Sequence, residues 1–185
     1  MVNEYYYDKH LSDDEWSVWN HKETKKKILD YIKDCGIVLD LGCGNMKLAE
    51  MKDGVIGVDN NSYVVEKNKN KGKNCILSTS TCILLKNKSM DAVVSLDLFE
   101  HLSVSDLKFT MSEIIRVLKP GGRLIVKVAS YENPDIFWSD WTHIRPFTDY
   151  SIKMLFECYD FKVKEIHSFS VKNKIESYIT YGSLK

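Results

Sequence analysis

The chain has 185 residues, 26 basic side chains balanced by 26 acidic ones, and 44% hydrophobic residues, enough for one packed domain with no net charge. The balance argues against a protein whose affinity comes chiefly from neutralising phosphates. Five cysteines (Cys35, Cys43, Cys75, Cys82 and Cys158) form no C-x-x-C pair and no Cys/His zinc spacing, so they read as reduced thiols of a cytoplasmic protein. No basic leader precedes an apolar run and no such run reaches membrane-spanning length, so no membrane insertion is expected.

In chain order, helix and strand patterns alternate as a doubly wound sheet requires. Ser12 and Glu15 form a capping-box pattern, and Trp16, Trp19, Ile28 and Ile32 continue at helical spacing, which predicts a leading helical region over Asp13 to Lys33. Strand one follows as Ile37 to Leu41, then a short helix ending before Asp53-Gly54, and strand two as Val55 to Val58. A Lys- and Asn-rich helix after Asn61 leads to strand three near Cys75 to Ser78, and strand four is Asp91 to Leu96. Ser103 and Asp106 start a helix whose apolar face is Leu107, Met111, Ile114, Ile115 and Leu118, with Pro120-Gly121-Gly122 ending it. Arg123 to Val128 is strand five. An aromatic-rich loop and a helix capped by Thr148 precede two closing strands, Phe161 to Phe169 and Glu176 to Tyr181. The Lys runs 25–27 and 67–73 read first as solvated helix faces.

The most telling stretch is Val38-Leu39-Asp40-Leu41-Gly42-Cys43-Gly44, followed by a second apolar run that ends in Asp59. Glycines let a backbone approach a ligand where a Cβ would collide, and an acid after the second strand suits ribose hydroxyls. A dinucleotide fingerprint would add a third glycine, but Asn45, Met46 and Lys47 stand there. Asp40, inside the first strand, would repel a pyrophosphate and attract a cationic amino-acid moiety.

With these features the chain resembles the class I S-adenosylmethionine-dependent methyltransferases. The matching pieces come in the family's order: Asp40-Leu41-Gly42-Cys43-Gly44, Asp59, Ser89 to Val94, Phe99-Glu100-His101-Leu102, and Leu118-Lys119-Pro120-Gly121-Gly122. The resemblance implies an α/β, Rossmann-like fold: a seven-stranded, mostly parallel sheet with an antiparallel terminal strand and helices on both faces. It also implies one methyltransferase domain over 1–185, with 1–34 as a helical cap or lid and 35–185 as the core. Tyr5, Tyr6 and Tyr7 would sit in that lid.

The cofactor implied is S-adenosylmethionine, with contacts from Asp40, Gly42, Cys43, Gly44, Asp59, Asn60, Thr79, Ser80 and Asp97. Two positions depart from the family's pattern. Thr79, beside Ser80, stands where many members carry an acid for the adenine amino group, and Met46 replaces the third glycine, suggesting a bulkier floor under the methionine portion. The sulfonium already activates the methyl, so the protein mainly aligns donor and acceptor, and a base is needed only for an acceptor such as an alcohol. Candidate catalytic residues are His101, after strand four, and His143 with Arg145 in the aromatic loop Trp138-Ser139-Asp140-Trp141-Thr142-His143-Ile144-Arg145-Pro146-Phe147. Stacking aromatics with a cation suit a sugar ring or a carboxylate, and the loop resembles one in small methyltransferases of surface-glycan pathways. Glu100-His101 also has a structural reading, as a cap of the following helix, and the two Trp as covers of the sheet edge.

The expected function is methyl transfer to a small polar acceptor, a sugar or glycan-precursor hydroxyl. An RNA or protein methyltransferase using the Lys-rich surface is one alternative, and a non-catalytic cofactor-binding partner subunit is another. No acid cluster points to a metal. Oligomeric state is not read from these features.

Overall fold

A computed structural model of the chain describes residues 22–171 and 174–185. The strands are β1 (Val38–Leu41), β2 (Val55–Asp59), β3 (Cys75–Leu77), β4 (Met90–Leu96), β5 (Leu118–Ala129), β6 (Phe161–Val171) and β7 (Lys174–Leu184). They form one seven-stranded sheet in the order β3-β2-β1-β4-β5-β7-β6. β1 to β5 pair in parallel, and β7 runs antiparallel to both β5 and β6, as expected. The helices are α1 (Lys22–Ile32), α2 (Ser62–Asn70), α3 (Val104–Val117), α4 (Pro134–Phe137) and α5 (Asp149–Cys158).

Central strands of such a sheet are covered on both faces, so successive residues bury in opposite directions. Leu39, Leu41, Val93, Leu124, Val126 and Val128 face one layer with Leu107, Met111 and Ile114 of α3 and Ile152 and Phe156 of α5. Val38, Ala92, Val94 and Ile125 face the other, with Ile28 and Ile32 of α1 and Val65 of α2. Each fully buried aliphatic side chain of this size contributes about 1.5–3 kcal/mol. Ser103 caps α3 by accepting from the Asp106 amide, and Thr148 and Ser151 close a reciprocal capping box on α5.

Several boundaries differ from the sequence expectation. The short helix expected after Gly44 is a single 3-10 turn, Lys47–Glu50, rather than an α-helix. Chain passes from α3 directly into β5 at Leu118, and the regular register with β4 begins at Arg123, because Pro120-Gly121-Gly122 forms an irregularity inside the strand. The capping box at Ser12, the start of the leading helix and the three tyrosines lie outside the described residues. No helix among the described residues is long and apolar enough to cross a membrane.

Strand order reverses between β1 and β4, whose neighbours lead away in opposite directions. A crevice opens outside the carboxyl ends of strands at such a switch point. The loops that meet there follow β1 (42–46), β2 (60–61), β3 (78–82), β4 (97–101) and β5 (130–148).

Candidate active site

The glycine loop after β1 is held at almost every polar atom. The amides of Gly42 and Cys43 both donate to the Val58 carbonyl, at 2.8 and 3.1 Å. Asp59 accepts from Gly44 N through Oδ2 at 3.1 Å and from Asn61 N through Oδ1 at 3.0 Å, so β2's terminal acid ties two loops together. Burial raises the Asp59 carboxyl although these amide bonds pull it down. Gly42 has φ +75°, and a Cβ there would stand 3.2 Å from Leu98 Cδ2, so the loop after β4 lies directly on the glycine turn.

Two residues of the Lys- and Asn-rich segment complete this loop, and neither was singled out from sequence. The buried Asn68 amide donates to the Gly44 carbonyl at 2.6 Å and to Val64 O at 3.0 Å. Lys73 Nζ donates to the carbonyls of Asn45 and Met46, at 2.8 and 3.2 Å, and pairs with Glu50 at 2.6 Å. The expectation of a solvated face therefore fails for these two side chains. The only local signal was an Asn inside a helix otherwise rich in Lys, and its partner lies 24 residues away.

Cys43 and Met46 point into the core rather than toward a ligand. A Cβ on Gly57 would meet Met46 Sδ at 2.6 Å and Cys43 Sγ at 2.8 Å, so the bare Gly57 makes room for both. Cys43 Sγ also lies 3.6 Å from Cys75 Sγ. Its amide donates to the Val58 carbonyl, so both the side chain and the amide of Cys43 have partners within the sheet. Met46 is fully buried beneath β2 and is no floor for a ligand, which corrects that expectation.

Asp40 is 4% exposed and sits between β2 and β4 in the sheet. Burial, with Asp59 nearby, pushes its carboxyl up to about 8. A cation placed beside it would relieve that cost. Asp97, with φ +55°, pairs with Lys127 at the end of β4. Asn60 is exposed. Thr79 Oγ1 pairs with Thr81 Oγ1 at 3.1 Å, and Ser80 Oγ with the buried Thr110 at 2.8 Å, so the Thr79 hydroxyl is the more accessible of the two.

Residues 99–101 form a 3-10 turn that joins the glycine loop to the aromatic loop. Glu100 is fully buried and does not cap α3: its Oε1 accepts from Ala129 N at 3.0 Å, while its carbonyl accepts from the amides of Ile144 and Arg145. Burial and Asp97 push the Glu100 carboxyl up to about 8. His101 and His143 then meet with ring centroids 4.6 Å apart. His143 Nδ1 lies 2.7 Å from the Phe137 carbonyl, which can only accept, so Nδ1 donates there, and Nε2 lies 3.8 Å from Asp140 Oδ2. The Thr142 hydroxyl donates to Asp140 Oδ1 at 2.7 Å, leaving its oxygen and its carbonyl to accept from His101 Nδ1 at 3.0 and 3.3 Å. His101 therefore presents a bare Nε2, since burial and His143 lower its affinity for a second proton.

Arg145 Nη2 reaches the Leu102 carbonyl at 3.3 Å, and its buried Nε has no partner among the described residues. Trp138 and Trp141 remain 60% and 74% exposed. Trp138 stands edge-on to Phe137, which in turn packs on His143.

Residues 39–126 match the family model described as a methyltransferase domain, a span that contains the glycine loop, Asp59 and the Glu100-His101 turn. Residues 39–126 thus form a methyltransferase domain. The family's cofactor is S-adenosylmethionine. A SAM-dependent methyltransferase from Archaeoglobus fulgidus has the same fold, with a TM-score of 0.83 at 21% identity over 96% of this chain and 99% of that one. The tRNA (carboxymethyluridine(34)-5-O)-methyltransferase of Arabidopsis thaliana is 26% identical over 137 residues, 72% of this chain and 33% of that protein. An uncharacterized protein of Methanocaldococcus jannaschii, MJ1252, is 34% identical over 108 residues, 58% of this chain and 41% of that protein. The chain thus spans well under half the length of these curated relatives.

Proposed function

We propose that this methyltransferase alkylates an oxygen, and that its acceptor is a hydroxyl of a sugar or glycan precursor. The observation that carries the reading is the pair of touching imidazoles on the loops after β4 and β5, with His101 Nδ1 donating to Thr142 so that its Nε2 is left to accept a proton. A neutral imidazole beside a hydroxyl accepts its proton, which an oxygen nucleophile needs and an amine does not.

The cofactor fits the residues present. The loop 42–44 carries no side chain toward the crevice, Asp40 is a buried acid in need of a cation, and Asp59 stands at the ribose position. Asp40 would hold the ammonium, Asp59 and Asn60 the ribose, and Thr79 the adenine edge. When bound, S-adenosylmethionine supplies a methyl already activated by its positive sulfur. Leu98, packed over Gly42, helps keep water from that methyl. Nε2 of His101 or His143 would accept the proton of an acceptor hydroxyl whose methyl the bound cofactor would supply. Arg145 anchors an acidic group of the acceptor through its guanidinium, and Trp138 offers a face to a sugar ring.

The name of the Arabidopsis relative supports a second reading, a tRNA acceptor, and it too names oxygen as the atom methylated. Against it stands the neutral charge balance, with Lys73 and Lys127 turned to internal partners. The non-catalytic reading loses one support, since Met46 is core packing rather than a blocked cofactor site. Incubation with methyl-labelled S-adenosylmethionine and either nucleotide-sugar and glycan pools or bulk tRNA separates the two acceptors. Label in the sugar fraction, released by ether cleavage and lost in His143→Ala, is expected; label in tRNA alone would replace the sugar acceptor with RNA.

A further inference from the structure

Cys43 and Cys75 bring their sulfurs to 3.6 Å although one follows β1 and the other begins β3, with β2 between them. Cys75 pairs with Gly57 in the sheet. Cys43 lies in the turn after β1, which hooks back so that its amide reaches the Val58 carbonyl at 3.1 Å. The bare Gly57 leaves its side chain room, since a Cβ there would stand 2.8 Å from Cys43 Sγ. A glycine inside a strand weakens it and often marks a place where another group must come close. Here that group is a thiol beneath the glycine loop, and it meets a second thiol across the gap.

The two thiols are unequal. The contact with Cys75, burial, and the carboxyls of Asp40 and Asp59 push the Cys43 thiol up, so Cys43 keeps its proton and donates it to Cys75 Sγ. That hydrogen bond, with Lys69 nearby, lowers the Cys75 thiol against the effect of burial. A thiolate is the form that attacks an oxidant, and a neighbouring thiol resolves the product to a disulfide. Cys75 is 3% exposed and Cys43 8%, which shuts out a bulky oxidant. Hydrogen peroxide is close to water in size, and β3 is a three-residue edge strand paired only with β2, the kind of element that opens locally at low cost.

We propose that Cys43 and Cys75 form a peroxide-sensitive thiol pair whose disulfide closes beneath the glycine loop and weakens binding of S-adenosylmethionine. The Cys75 sulfur attacks one peroxide oxygen, the O–O bond breaks, and the departing hydroxide takes the Cys75 proton and leaves as water. The Cys43 sulfur then attacks the sulfenic sulfur of Cys75, the S–O bond breaks, and a second water leaves with the Cys43 proton. Peroxide is reduced by two electrons and the two thiols are oxidised to one disulfide. Bonding shortens the sulfur separation from 3.6 Å to about 2.0 Å. Cys43 stands between the two glycines of the cofactor turn, and a binding site tolerates displacements of only about 0.5 Å. The effect on affinity rests on the cofactor site described above; the cross-link does not.

The test uses the full chain with the exposed Cys82 and Cys158 replaced by serine, which removes competing surface thiols. After peroxide treatment, removal of the oxidant and alkylation of the remaining thiols, peptide mass mapping without reductant should show the Cys43 and Cys75 peptides joined, two hydrogens lighter. Calorimetric titration of the oxidised chain, before alkylation, should give S-adenosylmethionine affinity at least about tenfold weaker than in the reduced chain, restored by dithiothreitol. Cys75→Ala in the same background should keep its affinity through the treatment, with circular dichroism confirming its fold. Cys43 and Cys75 recovered unlinked would overturn the pair. A linked chain that binds like the reduced one, or an equal loss of affinity in Cys75→Ala, would overturn the effect on the cofactor. A reduced chain that binds no S-adenosylmethionine would overturn that effect together with the cofactor site, while the mass map alone decides the cross-link.

Discussion

Replacing Asn68 with alanine tests whether the glycine loop is held from α2. The substitution removes the 2.6 Å bond to the Gly44 carbonyl and the 3.0 Å bond to Val64 O, from a side chain only 2% exposed. The Val64 carbonyl belongs to a helical turn and loses little. The Gly44 carbonyl is left without its partner, at a cost of about 1–3 kcal/mol. Alanine is the better helix former and returns up to about 0.7 kcal/mol. The net expectation is a loss of about 1–2 kcal/mol, which for a chain of this size lowers Tm by roughly 2–8 °C. Urea unfolding of the cofactor-free protein gives the first number. Calorimetric titration with S-adenosylmethionine gives a second, where a loosened loop should weaken binding several-fold. Unchanged stability together with unchanged affinity would refute the claim that α2 preorganises this loop.

Three further perturbations follow from the same geometry. Gly57→Ala sets a methyl against Met46 Sδ and Cys43 Sγ and should cost about 1–3 kcal/mol in urea unfolding; combining it with Met46→Ala should cost less than the sum of the two, and strict additivity would deny the contact. Burial holds the Asp40 carboxyl up at about 8, so below that pH a cationic ligand must displace its proton. Affinity for S-adenosylmethionine should therefore rise between pH 6 and 8, by at most about tenfold per unit, and Asp40→Asn should flatten that slope; a flat wild-type profile would place the ammonium elsewhere. Arg145→Lys should raise KM for an acidic acceptor while sparing cofactor affinity, because a lysine lacks the planar fork; an unchanged KM would remove Arg145 from the acceptor site.

The sheet was legible because its signals are local. Leu39, Leu41 and Asp40 alternate in a short apolar run, the α3 face repeats through Leu107, Met111 and Ile114, and Ser103 and Thr148 cap where their neighbours require. The ends of β1 and β2 were legible for the same reason, since glycine and a terminal acid each serve the turn they occupy. What escaped was long-range. Asn68 and Lys73 act on carbonyls 24 and 28 residues away, and Met46 looked like a ligand floor until Gly57 opposite it proved to be the space it fills. The Glu100-His101 turn reads in sequence as a helix cap, by its resemblance to a segment common in the family. Only the fold shows Glu100 reaching Ala129 on β5 and its carbonyl gathering the aromatic loop.

The central claim is an S-adenosylmethionine site built on Asp40, Gly42, Gly44 and Asp59. Calorimetric titration of S-adenosylmethionine and, separately, of a nicotinamide dinucleotide into the wild type and Asp59→Ala tests it most directly, with thermal unfolding confirming that the variant is folded. The account predicts micromolar binding of the sulfonium cofactor alone, weakened at least about tenfold, or 1.4 kcal/mol, by the substitution. Binding of the dinucleotide in its place, or sulfonium binding indifferent to Asp59, would contradict it.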